Sequence, residues 1–252
     1  MIFATVSASE RFRPNVQRIT FTSAEFDGYI CDIPDQFVTF IFPPASGDRR
    51  KPAVARDFSW DDWADMPPEE QPQARNYTVR AYEPRQHEIL VDMILHDGRS
   101  PGMDWALGAV PGDQIALWGP RIAYDPPPDV TWQLLIADDT GLPAAAAILE
   151  HMPATMGGHV LIEVASADCI QPLLGPDGVT VEWLSRDGAA AGTVNLLEPA
   201  VRALAIPPAV RYAWGGGNHR QMTAIGRYLR REVGFRPVDV TTVGYWSRDG
   251  FD

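Results

Sequence analysis

Three consecutive prolines, in Asp125-Pro126-Pro127-Pro128-Asp129, constrain this chain more than any other feature. Each proline fixes its φ and lacks an N–H, so the run can continue neither a helix nor a central strand. It favours a stiff, extended connector. The patterning changes across it. Before it come short β-rich or alternating runs at 2–7, 16–22, 37–42, 77–82, 88–95 and 114–118, separated by turn-rich stretches, as sandwiches and barrels require. After it, apolar runs at 132–137, 160–164, 179–183, 211–214 and 238–243 alternate with helical patterns. Residues 142–151 are alanine-rich. Residues 218–233 repeat Met222, Ile225, Leu229 and Val233 on one face, between an Asn218 cap and a stop at Gly234. Strands alternating with helices predict a parallel sheet wrapped by helices. The expected organisation is an antiparallel β-barrel domain over residues 1–125, followed by a parallel-sheet α/β domain over residues 130–252. The proline-rich, charged segment from Pro43 to Gln73 is expected to be a surface excursion.

With 252 residues, 45% of them hydrophobic, the chain can bury a core without disulfide or metal staples. A formal net charge of −12 argues against nucleic acid as a partner, because such binders carry a basic face that releases counterions from phosphates. Anionic membrane surfaces are disfavoured for the same reason. Membrane insertion is not expected either, since no uncharged apolar run approaches the roughly 18 residues of a span. Residues 1–11 lack the basic-then-apolar order of a signal peptide. Cys31 and Cys169 are too few for an iron–sulfur cluster or a structural zinc, and a cytoplasmic setting is the expectation. His87, His151, His159 and His219 show no metal-ligand spacing.

The chemistry-bearing residues begin at Arg75-Asn76-Tyr77-Thr78-Val79-Arg80. On a strand, Arg75, Tyr77 and Val79 share one face, and Thr78 and Arg80 the other. A guanidinium can fork onto a phosphate, a tyrosine ring can lie against a flat heterocycle, and a threonine hydroxyl can bond a ring nitrogen. A flavin nucleotide needs those three things, although an ordinary amphipathic strand would read the same. Next, Asp92 and His96 end a strand, and Ser100-Pro101-Gly102-Met103-Asp104-Trp105 reads as a capped helix start. Free amides and the positive dipole end there suit a pyrophosphate. After strand 132–137, where a dinucleotide site usually places glycines, stand Asp138, Asp139 and Thr140 instead. Gly215-Gly216-Gly217-Asn218 is either a close approach to a ligand or only a tight turn. Arg186, at a strand end, could meet an adenosine 2′-phosphate.

This order of motifs resembles the siderophore-interacting proteins, the ferric-siderophore reductase branch of the ferredoxin-reductase-like flavoproteins. The resemblance rests on Arg75 to Arg80, Val91-Asp92 through His96, Pro101-Gly102 with Trp105-Ala106, Pro111-Gly112-Asp113 and Gly119-Pro120. It continues through Ala137-Asp138-Asp139-Thr140-Gly141-Leu142-Pro143-Ala144, Trp183-Leu184-Ser185-Arg186, Tyr212-Ala213-Trp214 and Gly244-Tyr245-Trp246. It implies an FAD-binding barrel followed by an NAD(P)H-binding α/β domain, with NADH or NADPH as electron donor and a ferric siderophore as acceptor. It further implies that Arg75 meets the FAD phosphates, Tyr77 packs on the isoalloxazine and Thr78 bonds near the reactive ring nitrogen. Asp92 and His96 would lie along the flavin or its adenosine, and Ser100, Pro101, Gly102 and Trp105 would hold the pyrophosphate region. Asp138 and Thr140 would lie near the cofactor. Tyr245 and Trp246 would either shield the flavin or merely finish the last strand.

The chain departs from the family's basic site mouth, because Lys51 is its single lysine. Lys51 and Arg248, with Arg49 and Arg50, are the candidates for substrate contact. Two other readings stay open from the sequence. One is a flavin or ferredoxin-type reductase with another acceptor; the other is a non-catalytic ferric-siderophore binder that keeps FAD as structure.

Overall fold

The computed structural model describes residues 1–28, 30, 33–43, 47–68, 70–96, 100–208 and 210–248. Cys31, residues 44–46 and 69 of the excursion, and Gly250 lie outside the described residues. The chain forms two compact units, Met1–Ile122 and Ala123–Asp252. No helix among the described residues is long and apolar enough to cross a membrane.

The first unit contains β1 (Ile2–Arg13), β2 (Val16–Thr22), β3 (Gln36–Phe42), α1 (Trp60–Asp65), β4 (Gln73–Thr78), β5 (Ala81–Glu83), β6 (Glu88–Ile94), α2 (Pro101–Leu107) and β7 (Gln114–Ile122). Its seven strands form one antiparallel sheet in the order β4-β3-β7-β1-β2-β6-β5. Alternate residues of the strands drop into a single core: Ile2, Ala4 and Val6; Ile19 and Phe21; Val38, Phe40 and Phe42; Ile89, Val91 and Met93; Ile115 and Leu117. The barrel is open, because its end strands β4 and β5 do not pair with each other.

The run 77–82, read as one strand from sequence, is two. The Val79 N–H bonds to the Gln36 carbonyl at 2.7 Å, whereas the Arg80 N–H bonds to the Leu90 carbonyl at 2.8 Å. The chain therefore changes pairing partner between those residues, leaving β3 for β6. The excursion also holds structure of its own. Ser59 and Asp62 form a capping box that starts α1, the hydroxyl accepting from the Asp62 N–H and the carboxylate from the Ser59 N–H.

The second unit contains β8 (Trp132–Ala137), α3 (Leu142–His151), β9 (Gly157–Val164), β10 (Val179–Ser185), α4 (Leu197–Ala203), β11 (Arg211–Asn218), α5 (His219–Arg231) and β12 (Val240–Trp246). All five strands are parallel, in the order β10-β9-β8-β11-β12. Within β8, Leu135 and Ala137 face the cluster packed by α3, and Leu134 and Ile136 face the one packed by α4 and α5. Burial on both faces explains why these strands read as continuous apolar runs. In α5, Met222, Ile225 and Leu229 are buried, and Gly234, at φ +82°, follows its end. Strand β11 runs four residues beyond its apolar stretch, through the glycines to Asn218. Helix α4 carries no strong sequence pattern and is not foreseen from one.

Candidate functional site

In the antiparallel unit the site is built on β4. This strand pairs with β3, placing Tyr77 opposite Val38 and Arg75 opposite Phe40, and among the described residues no strand pairs with its other edge. An unpaired edge offers backbone donors and acceptors to a ligand. Arg75 is exposed, its guanidinium donating to the neighbouring Ala74 carbonyl at 2.7 Å. Tyr77, two residues on, sets its ring edge-on to Phe40 and Phe42 at centroid distances of 5.1 and 6.1 Å. Burial pushes its phenol up to about 12, so it stays a neutral hydrogen-bond donor. Thr78 turns to the opposite face and is buried.

Helix α2 begins against this tyrosine. The Ser100 hydroxyl accepts from the Met103 N–H at 3.3 Å, and Pro101 takes the first helical position. A Cβ on Gly102 would run into the Tyr77 hydroxyl, so only glycine lets the helix start this close to the phenol. An outward guanidinium, a neutral phenol and a buried hydroxyl along an open strand edge fit a flavin nucleotide, whose phosphates and ring need those donors.

Two expected contacts sit differently. Asp92 lies in β6 opposite Arg18 of β2, and its two oxygens accept from that guanidinium at 2.7 and 2.9 Å. Its carboxylate is engaged within the sheet rather than held out to a cofactor. Trp105 turns into the core, stacked on Phe21 at 6.0 Å and tilted against Phe42 at 5.7 Å. Its Nε1 is buried without an acceptor among the described residues. The residue anchors α2. His96 is exposed, two residues beyond β6. Of the basic candidates, Lys51 pairs with Asp48 at 3.6 Å, and Arg49 and Arg50 approach Asp113 at 2.9 and 3.8 Å. Arg248 is exposed beyond β12.

In the parallel unit the chain runs outward from β8 through β9 to β10, then crosses back to β11 on the other side of β8. That reversal creates a crevice at the carboxyl ends of β8 and β11, where ligands of open α/β sheets bind. Asp138 stands there, buried and saturated. Its Oδ1 accepts from the Thr140 N–H and hydroxyl at 2.8 and 2.6 Å, and from the Gly141 N–H at 3.3 Å. Its Oδ2 accepts from the Asn218 N–H and the Trp246 indole N–H, both at 2.8 Å. Asp138 therefore ties β8, β11 and β12 together, and Thr140 spends its hydroxyl on that tie. The glycines serve the same closeness: a Cβ on Gly217 would strike the Asp138 carboxylate, and one on Gly141 the Gly216 carbonyl. Trp246 thus has a structural bond, and Tyr245 packs on the α3-side core.

Residues 5–124 match the description "Siderophore-interacting FAD-binding domain", and residues 130–249 match "Siderophore-interacting protein". The ferric vibriobactin reductase ViuB of Vibrio cholerae is 31% identical over 241 residues, covering 93% of this chain and 84% of that one. The chain belongs to the siderophore-interacting protein family. A family relative from Escherichia coli, the NADPH-dependent ferric-chelate reductase, is 27% identical over 245 residues, covering 96% of this chain and 91% of the relative. The crystal structure of a siderophore utilization protein from T. fusca superposes with a TM-score of 0.85 at 30% identity, covering 99% of this chain and 94% of that one.

Two arrangements in this siderophore-interacting protein escaped the sequence reading. Arg186 is buried between Asp139, at 2.8 Å, and Glu163, at 3.3 Å. Both its carboxylate partners are themselves buried, so the guanidinium is not presented to an adenosine 2′-phosphate. Burial pushes the Glu163 carboxyl up, an effect that Arg186 partly offsets. The second arrangement runs along the outer face of β3, β4 and β7. There Arg121 donates to Thr39 and Asn76 at 2.6 and 2.8 Å and lies 5.1 Å from the Trp118 ring. No sequence signal joins Asn76 to Arg121, because strand pairing alone makes them neighbours.

Proposed function

We propose that this siderophore-interacting protein is an FAD-dependent ferric-siderophore reductase that takes electrons from NADH or NADPH. The observation carrying this reading is the open edge of β4, with Arg75 outward and Tyr77 set against Gly102, inside a chain whose two halves both match the family. A flavin, when bound, supplies the conversion of one two-electron hydride donation into single-electron deliveries. In this reading the Arg75 guanidinium neutralises phosphate charge and Thr78 donates to the ring edge. Tyr77, neutral across the physiological range, packs on the ring without adding charge. Ser100, Pro101 and Gly102 shape the helix start beside it, and His96 contacts the nucleotide portion. Asp92 and Trp105 act indirectly, the first by fixing β6 to β2 and the second by anchoring α2.

In the parallel unit, Asp138 and Thr140 hold the crevice mouth open to a nicotinamide nucleotide by locking the ends of β8, β11 and β12. No acid–base residue is required, because electron transfer to iron needs closeness rather than proton movement. The ferric siderophore is the small-molecule substrate; Lys51 in the antiparallel unit and Arg248 in the parallel unit are the candidates to donate hydrogen bonds to its oxygen atoms. Ferrous iron binds the same oxygen donors far less tightly and leaves.

An anaerobic spectrum tests the proposal. Purified protein supplied with FAD is expected to show flavin bands that bleach with a nicotinamide nucleotide. The bands should recover on adding a ferric siderophore, with two ferrous ions trapped per nucleotide oxidised. A chain that retains no FAD, or whose flavin resists both nucleotides, would overturn it.

A further inference from the structure

The proline-rich excursion carries an aromatic surface that the core does not use. On α1, Trp60 and Trp63 stand one turn apart with ring centroids 6.2 Å from each other, and no residue of that helix is buried. Phe58 meets Trp60 edge-on at 5.6 Å. Trp60 in turn meets Trp118 of β7 edge-on at 5.7 Å, and Trp118 remains 38% exposed. Arg121, against Trp118, donates to Asn76, which shares the face of β4 with Thr78. The aromatic surface is therefore continuous with the strand face that presents Thr78. Large rings left half-exposed in a contiguous patch mark a contact surface.

Along the excursion the charge has one sign, and the cation at the far end of the patch, Arg121, is held by Thr39, Asn76 and the Trp118 ring. Residues 57–70 hold Asp57, Asp61, Asp62, Asp65, Glu69 and Glu70 and no lysine or arginine. Asp65 ends α1, against the negative end of the helix dipole, so its charge does not serve the helix. The basic residues leading into the segment are engaged elsewhere: Arg49 and Arg50 face Asp113, Lys51 faces Asp48, and Arg56 forks onto Glu25 at 2.6 and 2.9 Å. A polyanionic complex arriving here meets the exposed Asp57, Asp61 and Asp65 carboxylates and tryptophan faces. A cationic or neutral one meets attraction from both, because tryptophan is the strongest cation–π partner.

We propose that this surface docks the ferric chelate, and that it selects the hydroxamate class, neutral or cationic, over polyanionic tris-catecholates. The proposal rests on the reductase reading given above, since it places the acceptor beside the strand assigned to the flavin.

Gallium(III) complexes test it without electron transfer, because gallium copies the charge and size of ferric iron but is not reduced. The flavin-loaded protein is titrated calorimetrically with gallium desferrioxamine B, a cation, and gallium enterobactin, a trianion. The cation is expected to bind at least tenfold more tightly. The exposed pair Asp61→Asn with Asp65→Asn should weaken it roughly two- to fivefold per charge removed. Trp60→Leu should weaken it by a similar factor, with the flavin spectrum and its bleaching by nucleotide unchanged in both variants. Equal or tighter binding of the trianion, or a Kd that ignores both variants, would overturn the docking proposal. Failure of the loaded flavin to bleach, or to be reoxidised by any ferric chelate, would instead sink the reductase reading.

Discussion

Arg75 precedes a β-rich run and Arg186 follows one, and their environments separate them. Arg75 is exposed on an edge strand, so Arg75→Ala should leave urea unfolding unchanged. Its loss should weaken FAD about 10- to 100-fold, as removal of a charge-assisted phosphate contact does. Recovery of flavin fluorescence on dilution measures this, and an unchanged Kd would remove Arg75 from the site. Arg186 is buried between two carboxylates, so Arg186→Ala strands both. The expected loss of stability is about 3–5 kcal/mol, read from the urea midpoint. Glu163 adds a pH signature. Its folded pKa is raised above the ordinary value of 4.5, so the folded state holds that proton more tightly than the unfolded chain. The resulting stabilisation is fully present below about pH 4.5 and is lost as pH rises through the folded value. Glu163→Gln stays neutral throughout. Its stability relative to the natural chain should therefore improve as pH rises from 4.5 towards 7, and a flat difference would show that Glu163 is not shifted.

At the scale of elements, the contact between α2 and β4 is the sharpest constraint on the site in the antiparallel unit. Gly102→Ala would place a methyl against the Tyr77 hydroxyl, forcing apart a helix start and a packed ring. A loss of about 1–3 kcal/mol is expected, together with weaker FAD retention. Because the obstruction is the hydroxyl alone, adding Tyr77→Phe should recover much of the stability; two additive losses would mean that the clash lies elsewhere. Boundaries were legible where alternation, continuous burial or a cap marks them: β2, β8 and α3 fall on their sequence patterns, and Asn218 caps α5. The break between β4 and β5 was not legible, because residues 77–82 are β-prone throughout, although the core-facing phase shifts from Tyr77 and Val79 to Tyr82 across it. The change of hydrogen-bonding partner at Val79 and Arg80 divides them.

At the scale of the whole molecule, the −12 net charge sets a repulsive field for anionic chelates. Raising ionic strength from about 0.01 M to about 0.15 M shortens the screening length from about 30 Å to about 8 Å. The kcat/KM for an anionic chelate such as ferric citrate should rise over that interval in steady-state assays. A fall would mean that a local basic surface outweighs the overall charge. The division into an antiparallel unit and a doubly wound parallel unit belongs to this scale too. Period-two alternation before the prolines and strand–helix alternation after them made it readable, because one-sided and two-sided burial leave different patterns in a chain.

The sequence by itself determined the two architectures, the strand that carries Arg75, Tyr77 and Thr78, and the family to which the ordered motifs point. Those are consequences of local periodicity and of side-chain types close together in the chain. What only the tertiary structure decided is which of those side chains remain available. Asp92 is met by Arg18 from another strand, Arg186 by two buried carboxylates, and Asp138 by donors from β11 and β12 as well as its own loop. Trp105 is turned into the core by the helix that begins at Ser100. Hydrogen-bond capacity is finite, and its partners come from distant positions in the chain. A motif can therefore announce a site, but strand pairing and packing decide which of its groups are left to bind a ligand.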